Sequence, residues 1–235
     1  KIRAKEVVVA TGSIERPLVF PGNDTPGVML ASAIRDYVSL YGVSPGDRTV
    51  ILTNNDDAYK TAIILNAVGL SVPLILDIRD CSDGPLIRKA RELGITIKKG
   101  KGISKVIGGK SVRAITVCSQ NGEGTPEETV ECDTLAVSGG WSPAVHLWSH
   151  CGGKLDWDDK TGMFVPNMDH APINHAGEKY VSVVGAALGK ISTKDCLQSS
   201  LSVSKQVIKC LRLKAKEFQI PSVNELGEDK IEVVW

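Results

Sequence analysis

The chain has 235 residues with a formal net charge of +1, and 42% of them are hydrophobic, enough for one large or two small cores. A balance this close to neutral gives no electrostatic ground for nucleic acid or an acidic partner, and no apolar run approaches the ~20 residues that span a bilayer. The cysteines (Cys81, Cys118, Cys132, Cys151, Cys196, Cys210) are scattered with no Cys-x-x-Cys, which excludes a dithiol motif or zinc knuckle and leads us to expect reduced thiols in a cytosol.

The first predicted strand, Glu6–Ala10, runs directly into Ala10-Thr11-Gly12, and no glycine-rich turn precedes it. A dinucleotide domain opens with strand, Gly-x-Gly-x-x-Gly and helix, because backbone N–H groups there must reach a pyrophosphate. With Lys at position 1, the sequence is expected to be an internal piece of a longer polypeptide. After the Pro-rich stretch Arg16–Gly27, Leu30, Ile34, Tyr37/Val38 and Tyr41 recur at helical spacing, and Gly42 is the expected stop. Pro45-Gly46-Asp47 turns the chain into a buried strand, Thr49–Thr53. A helix from Asp57 to Val68, with Gly69 behind it, leads to the apolar strand Val72–Asp77. A unit of this size is a parallel crossover.

A further helix, Pro85–Leu93, precedes strand Ile95–Lys98. Ser111–Val117 and Glu128–Cys132 read as strands around the polar turn Gln120–Pro126, and Asp133–Val137 runs into Ser138-Gly139-Gly140. Tyr180–Val184 is the last strand and enters Gly185-Ala186-Ala187-Leu188-Gly189. The closing helix is expected from Thr193 to Glu217. Its apolar stripe is Leu197, Leu201, Ile208 and Leu211, and its solvated basic face is Lys205, Lys209, Arg212 and Lys216.

Two places are candidates for chemistry. The crossover turn reads Asn54-Asn55-Asp56-Asp57-Ala58-Tyr59, without glycine. Asn tolerates positive φ, but carboxylates at a helix N-terminus occupy the end a pyrophosphate would use. Asp77 stands where an acid would hold ribose hydroxyls, although an acid at a strand end is common; a purely structural crossover is the expectation. The second place is the pair of small-residue turns, Thr11-Gly12 and Gly185-Ala186-Ala187, where the chain can pass close to a ligand or a neighbouring strand. His146 and His150 share a short helix and His170 and His175 flank Pro172. None has a partner set for a metal, and no hydrolase or metalloprotease signature occurs.

The runs from Arg3 to Pro17, Phe20 to Met29, Thr53 to Asp56 and Val137 to Trp148 resemble the alpha subunits of heterotetrameric sarcosine oxidases. The resemblance implies a cytoplasmic bacterial complex that oxidatively demethylates sarcosine to glycine and a one-carbon unit, with oxygen as electron acceptor. It implies NAD in the full alpha subunit, and FAD and FMN elsewhere in the complex, not held by this segment alone. Beta, gamma and delta subunits are the implied partners, with no nucleic acid and no membrane. The glycine-rich opening and the folate-binding half of such subunits are missing from the sequence. The expected architecture is therefore α/β: a second Rossmann-like domain at 25–140, inserted into an incomplete FAD/NAD(P)-binding domain formed by 1–24 and 141–235. No catalytic residue is expected here. In related flavoproteins the later turn carries an Asp that bonds the cofactor; Ala186 stands there instead. Thr11, Gly12, Gly185 and Ala186 are the expected cofactor contacts. The alternatives are the alpha subunit of a related amine or amino-acid dehydrogenase complex, and an interaction module without nucleotide.

Overall fold

In a computed structural model of the protein, residues 4–120, 124–214, 216 and 218–225 are described. The expected turn at Gln120–Pro126 and the expected last segment, 141–235, therefore lie partly outside the described residues. In chain order the elements are β1 (Val7–Val9), β2 (Ser13–Glu15), β3 (Val28–Leu30), α1 (Ala31–Tyr41), β4 (Thr49–Thr53), α2 (Asp57–Ala67), β5 (Ile75–Asp77), α3 (Pro85–Glu92) and β6 (Ile97–Lys99). There follow β7 (Lys101–Gly108), β8 (Val112–Ser119), β9 (Glu128–Glu131), β10 (Thr134–Ser138), β11 (Trp141–Pro143), α4 (His146–His150), β12 (Leu155–Asp158), β13 (Met163–Pro166), β14 (Val181–Val183), a 3-10 turn (Gly185–Leu188) and α5 (Thr193–Cys210).

The chain divides into two units, one built from residues up to Ile14 and Trp141–Glu225, the other from Glu15–Gly140. The second unit carries a five-stranded parallel sheet in the order β3-β10-β4-β5-β6. Alternate residues of each strand enter different cores. Val50, Leu52, Leu74, Leu76, Leu135 and Val137 pack with Ile103, Val106, Ile115 and Val117 of the antiparallel β7-β8-β9 sheet. Ile51, Ile75 and Ala136 pack instead with Ile34, Tyr59, Leu65 and Ile87 of the helices. Burial on both faces is why these strands are continuous apolar runs in the sequence.

Leu18 and Phe20 belong to the first of these cores, and Glu15 caps α1 from a distance. Its Oε2 accepts from the Ser32 N–H at 2.9 Å and the Ser32 hydroxyl at 2.5 Å, supplying the acceptor that Leu30, at the N-cap, lacks. Residues 15–24, assigned to the first domain from sequence, thus pack with the second unit. At the other end of α1, Gly42 takes the left-handed conformation at φ 64° and its N–H reaches Val38 O, while Val43 N–H reaches Tyr37 O.

In the first unit, β1 and β14 pair in parallel register, Val7 with Val181 and Val9 with Val183, and β12 and β13 form a hairpin. Trp148 is completely buried against Val9, Val181, Val183 and Ala187, and its Nε1–H donates to Lys154 O at 2.8 Å. Ser192 starts α5 by accepting from Asp195 N–H at 3.1 Å. The helix ends at Cys210, not at the expected Glu217, because Arg212 turns left-handed (φ 55°) while the N–H groups of Arg212 and Leu213 fold back onto Lys209 O and Ile208 O.

Gly153 has no room for a side chain: a Cβ there would lie 2.4 Å from Trp148 Nε1. Gly153→Ala is expected to lower stability by about 1–3 kcal/mol through overpacking, and Trp148→Ala by about 3–5 kcal/mol, both measured by urea denaturation followed by circular dichroism.

Candidate functional site

The register of β1 against β14 places the two small-residue turns of the first unit side by side. Val9 lies opposite Val183, so Thr11-Gly12 and Gly185-Ala186 leave the same C-terminal edge of adjacent parallel strands, the edge at which open α/β sheets receive ligands. Gly12 and Gly185 both have positive φ, 76° and 65°, which favours glycine. The local bonds are largely committed to the fold. The Thr11 hydroxyl donates to Ala144 O at 2.6 Å, and Ala144 N–H donates to Gly12 O at 2.9 Å. The Gly185 N–H donates to the Ser199 hydroxyl of α5 at 3.1 Å. Ala186 contributes a methyl group and no side-chain acceptor for a ribose hydroxyl. A dinucleotide laid on this edge would meet the peptide groups of these two turns.

The crossover turn of the second unit is organised differently. The end of β5 and the start of α2 enclose a cluster of charged groups that only the fold brings together. Asp56 and Asp77 are fully buried and Arg79 is 3% exposed. The Arg79 guanidinium donates to both oxygens of Asp77, Nε to Oδ1 at 2.9 Å and Nη2 to Oδ2 at 2.8 Å, and Nη2 also reaches Asp56 Oδ1 at 2.7 Å. Asp77 accepts three more bonds: Arg79 N–H at 3.0 Å, the Tyr59 hydroxyl at 2.8 Å and the Ser82 hydroxyl at 3.0 Å. Asp57, next along, pairs with Arg35 at 3.0 Å and Lys60 at 3.1 Å. The two fully buried carboxylates, Asp56 and Asp77, thus share the Arg79 guanidinium, while Arg35 and Lys60 pair with Asp57.

Electrostatics follow from this packing. Burial works against the Arg79 cation, but the hydrogen bonds and charge of Asp77, then those of Asp56, outweigh it and hold the guanidinium above its ordinary range. Burial, and then the neighbouring Asp77 carboxylate, push the Tyr59 phenol well above its usual range, so it remains a donor.

The two asparagines of the turn bind the neighbouring strand. Asn55 Nδ2 donates to Ser138 Oγ at 3.0 Å, and Asn54 Nδ2 donates to Gly139 O at 3.3 Å. Sequence reasoning placed Asp56 and Asp77 correctly as a helix-start acid and a strand-end acid but missed Arg79, Ser82 and Ser138. The available signal for Arg79 was two adjacent aspartates in a turn that had to be buried, with an arginine two residues beyond the strand-end acid. His146 and His150 share α4, and among the described residues there is no group of His, Cys, Asp and Glu side chains able to hold a metal ion. Nor, among those residues, is any helix long and apolar enough to cross a membrane.

Comparison with known proteins gives this geometry its context. No protein-family model matches the chain. It is 36% identical over 213 residues to the sarcosine oxidase alpha subunit of Rhizobium meliloti (strain 1021), covering 91% of this chain and 20% of the relative. It is 37% identical over 207 residues to the corresponding alpha subunit of Corynebacterium sp. (strain P-1), covering 86% and 20%. The chain is similar to one segment of the sarcosine oxidase alpha subunit. It spans about a fifth of the length of these curated relatives. An opine oxidase subunit of Agrobacterium tumefaciens (strain Ach5) is 26% identical over 204 residues, covering 80% of this chain and 40% of that protein.

Solved structures share the fold. L-proline dehydrogenase from P. horikoshii matches with a TM-score of 0.61 at 20% identity, covering 91% of this chain and 36% of that one. Thioredoxin reductase from T. acidophilum matches with 0.64 at 17%, covering 87% and 66%. The Rossmann-like α/β class expected from sequence is the class these enzymes share.

Replacing Arg79 by Met removes its bonds to two buried carboxylates, and is expected to cost about 3–5 kcal/mol in urea denaturation at neutral pH. Lys at this position cannot reproduce the forked contact and restores only part of that loss. Tyr59→Phe is expected to cost about 1.5–3 kcal/mol at pH 7, the range for a hydrogen bond to a charged group. Because the folded phenol resists ionisation, its contribution is full below the unfolded value of about 10 and is lost as pH rises above it. The difference between wild type and Tyr59→Phe should therefore shrink between pH 9 and about 11.5; a constant difference would contradict the assignment.

Proposed function

We propose that this chain is part of the alpha subunit of a cytoplasmic hetero-oligomeric oxidase that demethylates sarcosine to glycine with oxygen as electron acceptor. The observation that carries this reading is the 36% identity, over 91% of the chain, to a sarcosine oxidase alpha subunit. Oxidation of the amine is assigned to flavin held elsewhere in the complex, and no residue here is given a catalytic role. The share assigned to this chain is twofold: to lend the Thr11-Gly12 and Gly185-Ala186 edge to a dinucleotide, which we take to be NAD, and to dock other subunits.

Two features support that division. The paired turns leave one sheet edge with positive-φ glycines and small side chains, which lets a ligand approach the backbone closely. The 18-residue α5 has no fully buried residue, and Leu197, Leu201 and Ile208 line a groove of about 690 Å³ together with Phe218 and Ile220, with Lys205 and Lys216 also in its lining. An apolar groove of this kind is what contact with another polypeptide requires. The similarity to an opine oxidase subunit favours, as a second reading, the same architecture serving another secondary amine.

The test is purification of the native assembly containing this chain, followed by oxygen uptake with sarcosine, L-proline and an opine as separate substrates. Sarcosine-dependent uptake with glycine as product is expected; turnover of an opine alone would transfer the assignment to the second reading. In the same assembly, Gly185→Ala is expected to weaken NAD retention, because it strains the left-handed turn by about 1–2 kcal/mol, and to leave the KM for sarcosine unchanged.

A further inference from the structure

In an open parallel sheet the ligand crevice lies where strand order reverses, outside the carboxyl ends of the strands. In the second unit that point falls between β4 and β10, with β5 beyond β4 and β3 beyond β10. We propose that this crevice is closed by the protein's own side chains, with the Asp56–Arg79–Asp77 cluster standing where a dinucleotide would be held, so that the second unit takes no NAD(P) or FAD.

Four observations lead to this. The carboxylate in the ribose-binding place has no acceptor capacity left: Asp77 already takes five bonds, from Arg79 N–H, Nε and Nη2, Tyr59 and Ser82, against about four lone-pair positions on an ionised carboxylate. Four of the amides in this turn are used internally. Asn54 N–H goes to Ser138 O, Asn55 N–H to Thr53 Oγ1, Asp57 N–H to Asn55 Oδ1 and Tyr59 N–H to Asp56 O.

The helix N-terminus is also occupied by like charge. Asp56, fully buried, and Asp57 sit at the electropositive end of α2, where a pyrophosphate would be repelled. Finally, Asn54 and Asn55 tie β4 to Ser138 and Gly139 of the β10 end, across the reversal point itself. Admitting a nucleotide would require Arg79 to give up its bonds to two buried carboxylates, so the closed form is held by the same ion cluster that stabilises the unit.

Hydrogen exchange read by mass spectrometry on the full chain, with and without 10 mM NAD, NADP or FAD, tests this directly. A site with a Kd of about 0.1 mM would slow exchange about a hundred-fold at that concentration. The expected result is slow exchange at residues 54–59 and 79 without ligand, unchanged by any of the three. Rapid exchange there in the free chain would overturn the proposal, and so would saturable slowing on adding a nucleotide. The turns at residues 11–12 and 185–186 are read in the same experiment. Protection confined to them agrees with a nucleotide on the first unit and with a closed crevice in the second.

Discussion

The Arg79 guanidinium, shared between Asp77 and Asp56, sets the conditions for the rest of the second unit. It joins the end of β5 to the start of α2, and through Tyr59 it ties that corner to the helix-side core. Buried charge is tolerated only when it is paired and its lone pairs are satisfied. Here the forked contact to Asp77, the third bond to Asp56 and the hydroxyls of Tyr59 and Ser82 meet that condition together. The sheet edge on which a nucleotide domain ordinarily works is filled here by internal contacts.

The first unit is built on the opposite principle. Its parallel pair β1–β14 ends in two glycine-containing turns whose bonds run to the backbone of Ala144 and the hydroxyl of Ser199. Turns of peptide groups and small side chains permit close approach to the backbone. Small residues follow the ends of β1 and β14 in the first unit, whereas the corner between β5 and α2 in the second is filled with internal contacts.

Fold similarity at 17–20% identity carries the sheet and its helices, whereas ligand contacts reside in a few turns that change independently. The similarity to sarcosine oxidase alpha subunits extends through both units and ties them to one kind of polypeptide.

Much of the fold was legible from residue order. Thr49–Thr53, a continuous apolar run before Asn54, and the helix closed by Gly42 lie where sequence placed them, because burial on both sheet faces and a left-handed cap leave local marks. β7, the hairpin β12–β13 and the end of α5 were missed, since mixed polar strands such as Lys101–Gly108 depend on partners in β8 rather than on their own pattern. By itself the sequence determined the α/β class, the crossover at Val50–Asp77, the family resemblance and the small-residue turns. Only the tertiary structure decided that Thr11-Gly12 and Gly185-Ala186 share one edge, that Glu15 caps α1, and that Arg79 occupies the space between Asp56 and Asp77. Each of these unites residues distant in sequence or hidden in a turn, and their free energy comes from burial and charge pairing that no local pattern records.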